Sequence, residues 1–461
     1  MKTSNYNIFW YSKDIDKYIL YNTYTDAIEA FSVPTAKIVK SILGNEPYMG
    51  STAEQVGLGA LCNHLYDNGF LIDSNRDELE EIRFQYNRNK FGDCPSKSLG
   101  IALAPSMACN FDCVYCYASL KSGSIMTKNT LDVLIERLKC TVKERGLKSL
   151  SFTWIGGEPL CNVPAIRRIC SELHEFCVEN SCQFSTSLVT NGSLFTEELA
   201  EEMSKAPFEL KHIQITLDAF WHEESRPFKN RKGSSLEATL SGIKSAAKYF
   251  PCGTTIRVNV PNSPDATAEK LSEYLIDIIK TLELPDTMSM YIAPVDPSTE
   301  EARLNVASEW DPVLFAKLRE QVSEALCAAK NRNVLPQLLR RRPIPCGYES
   351  RDSICIDASG YIYKCWHHIG RPDMSLGTIM TGINHEHLMH SSVYQQWMTW
   401  NPLKTMCKKC KLLPTCMGFC FDFAATRGPN AKGRCMTHRY SFKSDCIKYA
   451  EYIIQQRELH S

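Results

Sequence analysis

The 461-residue sequence has no excess charge of either sign: 52 Lys and Arg stand against 52 Asp and Glu. Without a net positive field, nothing draws the chain to nucleic acid or to an anionic membrane. Long hydrophobic runs are also missing. None approaches the ~20 apolar residues that span a bilayer, and the opening Met1-Lys2-Thr3-Ser4-Asn5 has no apolar signal core. A cytoplasmic protein without membrane or nucleic-acid partners is expected. With 44% hydrophobic and 23% charged residues, wholesale disorder is excluded. The length suggests roughly two to four domains.

What the sequence has in quantity is cysteine, 21 residues in all. In a reducing compartment so many thiols are not a disulfide scaffold. They serve more often as metal ligands or catalytic groups, and spacing decides which.

Three segments are expected. Residues 1–95 read as a small winged-helix-like module. Its strands are Tyr6–Tyr11, Lys17–Asn22 and Ala27–Ser32, its helices Pro34–Leu43 and Thr52–Asn68, with Gly69–Ile72 as a closing wing. Residues 77–92 are charged and weakly periodic, which suggests a partly helical linker. Over 96–335, strands alternate with amphipathic helices in six consecutive units. The strands begin at Leu99–Ala104 and end at Met288–Ala293. In the 129–145 stretch, Leu131, Leu134, Ile135, Leu138 and Val142 share one helical face. Six strand–helix units predict a partial TIM-like α/β barrel, with chemistry at the C-terminal strand ends. Over 336–461 regularity stops, and nine cysteines fall between 346 and 446, so metal is expected to stabilise this segment.

The loop after the first barrel strand reads Cys109-x3-Cys113-x2-Cys116. Three thiolates can hold three irons of a [4Fe–4S] cluster and leave the fourth open. A zinc knuckle would need a fourth ligand, which no nearby His or Cys supplies. The second strand ends in Gly156-Gly157-Glu158-Pro159, the third in Thr190-Asn191-Gly192, the fourth in Thr216-Leu217-Asp218. His222 and Arg226 follow, and the fifth strand carries Arg257-Val-Asn259. Glycines allow close backbone approach, and a carboxylate can accept from an ammonium.

Together these motifs resemble the radical S-adenosylmethionine (SAM) superfamily. The resemblance implies that Cys109, Cys113 and Cys116 hold a cluster whose open iron chelates SAM. Tyr115, Gly156, Gly157, Glu158, Asn191, Thr216 and Arg257 would line the SAM site. By the same resemblance, reductive cleavage of SAM gives a 5′-deoxyadenosyl radical that takes a hydrogen from substrate.

The C-terminal pattern Cys346-x13-Gly360-x4-Cys365, followed by Cys407-x2-Cys410-x5-Cys416-x3-Cys420 and Cys435, resembles the SPASM extension. That implies two auxiliary clusters, one on Cys346, Cys355, Cys365 and Cys420, the other on Cys407, Cys410, Cys416 and Cys435, for three [4Fe–4S] clusters in total. Cys446 competes with Cys435 as last ligand. Taken without its context, C-x2-C is equally a zinc spacing. Cys62, Cys94, Cys140, Cys161, Cys170, Cys177, Cys182, Cys252 and Cys327 have no cluster spacing and are expected mostly as small buried hydrophobes. His367-His368 are expected as supporting or surface groups.

This combination of segments is similar to maturases of ribosomally made peptides. It implies a precursor peptide bound through its leader on residues 1–95, a flavodoxin- or ferredoxin-type electron donor, and an oxidative thioether or carbon–carbon crosslink. The alternatives are a sulfatase-type formylglycine maturase and a non-catalytic iron–sulfur or zinc protein. No residue is singled out as general base.

Overall fold

A computed structural model describes residues 1–13, 15–44, 52–92, 97–116, 123–230, 232–295, 308–329, 340–418, 421–422 and 438–459. Cys94, Cys420 and Cys435 lie outside the described residues. The chain forms two compact units: Met1–Lys90 with Val334–Cys346 and Trp400–Ser461, and Phe91–Asn333 with Gly347–Thr399. The three consecutive segments expected from the sequence therefore become two units. The 336–461 stretch is divided between them.

The first unit contains β1 (Lys2–Thr3), β2 (Asn7–Ser12), β3 (Lys17–Asn22), β4 (Ile28–Phe31) and β5 (Leu71–Ile72). β2, β3 and β4 form an antiparallel sheet, with Phe9 opposite Leu20 and Trp10 opposite Ile19. Alternation along the strands gives this sheet two apolar faces. Leu20 and Phe31 pack on Ala36 and Val39 of the helix Val33–Gly44 and on Leu65 of the helix Thr52–Asp67. Trp10, Ile19 and Tyr21 pack instead on Phe442, Cys446 and Ala450 of the 22-residue helix His438–Leu459. Two local helices cannot cover both faces, so the distant C-terminal helix covers the second. That is why the N-terminal module is not a separate domain, and why the C-terminal region contains a long helix where little regular structure was expected. The expected wing also differs: Leu71 and Ile72 pair with Thr3 and Lys2.

Residues expected as a linker form the helix Glu78–Phe91, burying Glu78, Ile82, Tyr86 and Lys90 at successive i, i+4 positions. The stripe is invisible to hydrophobic periodicity because its two ends are charged. Each charge has partners, as burial requires. Glu78 accepts from Ser4 Oγ (2.6 Å) and Asn5 N (2.8 Å). Lys90 Nζ donates to Trp400 O at 2.6 Å and Tyr86 Oη at 3.1 Å.

The second unit is built on β6 (Ser98–Ser106), β7 (Ser149–Gly156), β8 (Gln183–Thr190), β9 (Leu210–Leu217), β10 (Thr254–Val260) and β11 (Ser289–Pro294), all parallel, with a helix after each. The helix Lys128–Arg145 buries the face expected for it, between an N-cap at Thr127 and a left-handed C-cap at Gly146. The sheet is open and extended: β12 (Ser353–Ile356) adds parallel to β6, followed by β13 (Tyr361–Tyr363) and β14 (Gly377–Thr378). Gly100 N donates to Asp352 O, and Arg145 pairs with Asp352 at 2.6 Å. These contacts tie β12 to the parallel sheet, and 347–399 belongs to the same unit. Between β12 and β13, Asp357 accepts from Ser359 N, Tyr361 N and Tyr363 Oη. Burial pushes its carboxyl up and these donors oppose the shift. Among the described residues no helix is long and apolar enough to cross a membrane.

Candidate active site

Alternation along the parallel strands positions the site. In β9, Ile213, Ile215 and Leu217 are buried, while Gln214 and Thr216 between them are half-buried and line a cavity of about 460 Å³ at the strand ends. β10 contributes Arg257 and Asn259 two residues apart on the same face. The cavity brings together Cys109, Cys113, Cys116, Tyr115, Gly156, Gly157, Glu158, Asn191, Thr216 and Arg257. The motifs and the family resemblance they carry had suggested every one of them. They had not suggested Phe111, Gln214, Asn259 or Trp366 as cavity residues and had given His367 only a supporting or surface role, yet all five line the same cavity. Strand alternation around Arg257 and Thr216 could have found Asn259 and Gln214. Nothing local could have found Trp366 and His367, which arrive with the added β12–β13 segment.

The glycine pair makes room for protein backbone. A Cβ on Gly156, whose φ is +136°, would stand 2.3 Å from Ser106 O, and one on Gly157 would stand 2.5 Å from Ala108 O. β7 thus closes tightly on the root of the cysteine loop, where Gly157 N and Glu158 N donate to Ser106 O and Ala108 O. Glu158 is 1% exposed. Its carboxylate accepts from Thr190 Oγ1 (2.7 Å), Asn191 N (2.8 Å) and Leu160 N (3.1 Å). Burial raises its pKa and those donors counteract it. Glu158 therefore ties the ends of β7 and β8 together. Asn191 extends the tie to the cysteine loop by donating to Asn110 Oδ1 at 2.9 Å.

Behind the loop lies a buried polar network. Tyr115 Oη donates to Asp218 (2.5 and 2.7 Å to its two oxygens) and accepts from Arg226 (3.0 Å) and Asn259 (2.9 Å). Ser225 Oγ adds a donor to Asp218 at 2.6 Å. Arg257 Nε donates to Asn259 Oδ1. Tyr115 therefore does more than pack: its hydroxyl joins four elements. Burial pushes the Asp218 carboxyl up, with Arg226 pulling it back. Burial likewise pushes the Cys113 thiol up to about 12, and the nearby Arg226 cation opposes it. His222 faces away from the chemistry. It is fully buried, its Nδ1 accepts from Asp218 N, its Nε2 lies 3.4 Å from Thr239 Oγ1, and burial lowers its pKa to about 3.

Three soft thiols converging on one loop at a cavity wall, with a cation beside one of them, suit an iron–sulfur cluster with an open position. The comparison with protein families agrees: residues 103–275 match the model of the Radical SAM superfamily. Residues 103–275 form a radical SAM domain.

The chain is 28% identical over 201 residues to a radical SAM cyclopropyl synthase of Paramaledivibacter caminithermalis, a match spanning 40% of each protein. It is 23% identical to the serine-type anaerobic sulfatase-maturating enzyme of Bacteroides thetaiotaomicron, covering 70% of this chain and 83% of that one. Two solved structures share the fold. One, anSMEcpe with bound AdoMet and the Kp18Cys peptide, has TM-score 0.57 and 18% identity, over 79% of this chain and 100% of that one. The other, Streptococcus suis SuiB bound to the precursor peptide SuiA, has TM-score 0.52 and 15% identity, over 95% and 99%.

The C-terminal thiols sit on turns. In the first unit, Cys407, Cys410 and Cys416 are half-buried. Cys410 N donates to Cys407 O, and the chain reverses through Met417 and Gly418, both in the left-handed region. A Cβ on Gly418 would lie 3.4 Å from Cys407 Sγ, and Cys416 Sγ lies 3.3 Å from Gly418 O. Burial raises the Cys416 thiol, and the Cys407 and Cys410 thiols raise it further. Cys446 is not part of this group: it is 0% exposed in the cluster with Trp10 and Tyr21. In the second unit Cys355 is buried within β12, and Cys365 follows β13. Of the cysteines without cluster spacing, Cys170, Cys177 and Cys182 are buried as expected, but Cys140 and Cys252 are exposed. Cys161 is half-buried behind Glu158, and burial lifts its thiol to about 11.

Proposed function

We propose that this chain is a radical SAM maturase of a ribosomally made precursor peptide, which captures the peptide's leader and joins two residues of its core by a thioether or carbon–carbon bond. The observation that carries this reading is the edge of β4. The winged-helix-like module presents β4 as the last strand of its sheet, and among the described residues no strand pairs with its outer edge. The bond from Asn22 N to Ala27 O sets the phase of the β3–β4 ladder. Glu29 and Phe31 therefore bond inward to β3, and Ile28 and Ala30 point their N–H and C=O groups outward. Such an edge accepts an extended peptide as a further strand. A cavity of about 490 Å³ beside the start of β4, lined by Ala27, Tyr66, Asp67, Leu71 and Asp73 among others, offers a place for a leader side chain.

At the other site, Cys109, Cys113 and Cys116 would hold the cluster, and Tyr115, Gly156, Gly157, Glu158, Asn191, Thr216 and Arg257 would surround SAM. When bound there, these groups supply an electron and an organic radical that removes a hydrogen from substrate. The chain's own contribution is placement: Glu158 and Asn191 hold the loop against the strand ends, and Arg257 offers a cation to a carboxylate in the cavity. We assign the auxiliary clusters as implied by the resemblance to the SPASM extension, Cys346, Cys355, Cys365 and Cys420 to one and Cys407, Cys410, Cys416 and Cys435 to the other. A flavodoxin- or ferredoxin-type protein would deliver electrons.

The test is Ala30→Pro, which removes one outward N–H from an edge strand while leaving the inward ladder intact. SAM cleavage without peptide should stay unchanged, and modification of a leader-bearing peptide should fall at least tenfold. Equal modification by both proteins would refute leader capture at this edge. The match to the sulfatase-maturating enzyme supports a second reading, oxidation of a cysteine or serine in a sulfatase. Turnover of a leaderless sulfatase peptide would favour it.

A further inference from the structure

The cysteine loop is clamped by the segment that carries Arg226. Lys229 N donates to Asn110 O (2.9 Å), Asp112 N to Pro227 O (2.8 Å) and Val114 N to Ser225 O (3.0 Å), with Phe111 bridging Phe228. This is an antiparallel ladder. Its phase puts Cys113 directly opposite Arg226, in a position without backbone bonds between the pair, where Cα atoms approach to ~4.5 Å and side chains leave on one face. The neighbouring pair on that face obeys the same phase: the Phe111 and Phe228 rings meet edge-on at 5.1 Å, and the Arg226 guanidinium lies 5.6 Å over Phe111.

Arg226 is only 6% exposed. One terminal nitrogen donates to Tyr115 Oη, and Asp218 is 3.9 Å away, too far for a direct hydrogen bond. Its Nε is buried and has no hydrogen-bond partner among the described residues. A buried guanidinium with an unused donor is costly unless something acceptor-rich stands before it. Arg226 lines the cavity together with Cys113.

We propose that Arg226 is a tuning residue for the loop cluster: its fixed charge, held opposite Cys113 by the ladder, stabilises the reduced form and raises the reduction potential. The inference rests on the radical SAM reading of this loop. The redox step is the gain of one electron by the cluster from a low-potential one-electron donor, dithionite in the test. No proton or bond changes hands. Added negative charge beside a buried cation is favoured, because the surrounding dielectric is low, and local charge and hydrogen bonds to sulfur are established determinants of cluster potential. Asp218 works in the opposite direction.

The experiment is an anaerobic redox titration of the reconstituted full-length protein followed by electron paramagnetic resonance. The loop cluster is identified as the signal that changes when SAM is added. Arg226→Gln should make its reduction at least tenfold less favourable, a fall of 59 mV for one electron, with the auxiliary signals unmoved. Arg226→Lys should stay near the parent value. Asp218→Asn should shift the same signal upward, and this variant decides the matter if the Gln variant does not hold iron. An unchanged potential in Arg226→Gln, or in Asp218→Asn where that variant decides, overturns the tuning role. Absence of any SAM-responsive signal in the parent protein overturns instead the radical SAM reading on which it rests.

Discussion

The two groups of thiols are held in different ways. Cys109, Cys113 and Cys116 leave a nine-residue parallel strand and are fixed by a cross-strand ladder, the Glu158–Asn191 tie and the Tyr115–Asp218–Arg226–Asn259 network. Cys407, Cys410 and Cys416 sit on short turns around Gly418, with a few contacts from Leu403, Leu413 and Met417 to Tyr6, Tyr24 and Tyr86. The first scaffold is braced by hydrogen bonds from several elements. The second has little regular structure among the described residues, and on the proposed reading metal bound by its thiols would add order there. A catalytic cluster that must leave one position open needs a rigid frame from the protein. A fully ligated cluster can be its own frame.

The most drastic way to break this contrast is to remove the loop thiols. Replacing Cys109, Cys113 and Cys116 together by Ala should abolish SAM cleavage while changing the stability of the parallel-sheet unit by no more than about 1 kcal/mol, because surrounding contacts rather than the thiols hold the loop. Urea unfolding and 5′-deoxyadenosine release measure the two halves of that statement. A collapse of the sheet unit would mean that its scaffold also depends on metal.

Stripping iron with a chelator should have the next largest effect, and an uneven one. Amide exchange around 403–418 should speed up at least tenfold, while β6–β10 keep their protection. Uniform protection would show that the turns fold without metal.

Glu158→Ala sharpens the comparison within the sheet unit. It leaves Thr190 Oγ1, Asn191 N and Leu160 N without their acceptor in a buried site, at a cost of about 3 kcal/mol. Glu158→Gln, which keeps an acceptor, should cost about 1 kcal/mol. If Ala weakens SAM binding with no loss of stability, the residue contacts ligand and does not brace the strands.

The smallest effect concerns His222. Its folded pKa is lowered to about 3, from 6.5, so between those values the unfolded chain binds a proton that the native chain refuses. Stability is then fully present above pH 6.5 and falls with acidification by up to about 1.4 kcal/mol per pH unit from this group. Comparing urea midpoints of the parent and His222→Asn from pH 7.5 to 5 should show a flatter slope in the variant. Equal slopes would mean that His222 is not held neutral.

Much of this was legible locally. The helix over 128–145 follows from Leu131, Leu134, Ile135, Leu138 and Val142, and the cavity residues on β7 to β10 lie in short motifs at strand ends. Each lies within one or two turns or a strand length of its neighbours, where spacing and side-chain direction are linked directly. The helix Glu78–Phe91 escaped this logic because its buried stripe begins and ends with charge.

The sequence by itself determined the alternating strand–helix core, the thiol loop at the end of its first strand and the existence of a small N-terminal sheet. Only the tertiary structure decided what completes each of them. The helix 438–459 covers the sheet's second face, β12 extends the parallel sheet beside β6, and the 225–229 segment places Arg226 opposite Cys113. The reason is the same in every case. A buried face, an open strand edge or a buried charge demands a partner, and local patterning shows the demand. Which distant segment meets it depends on chain topology, because partners far apart in sequence leave no periodic trace in one another.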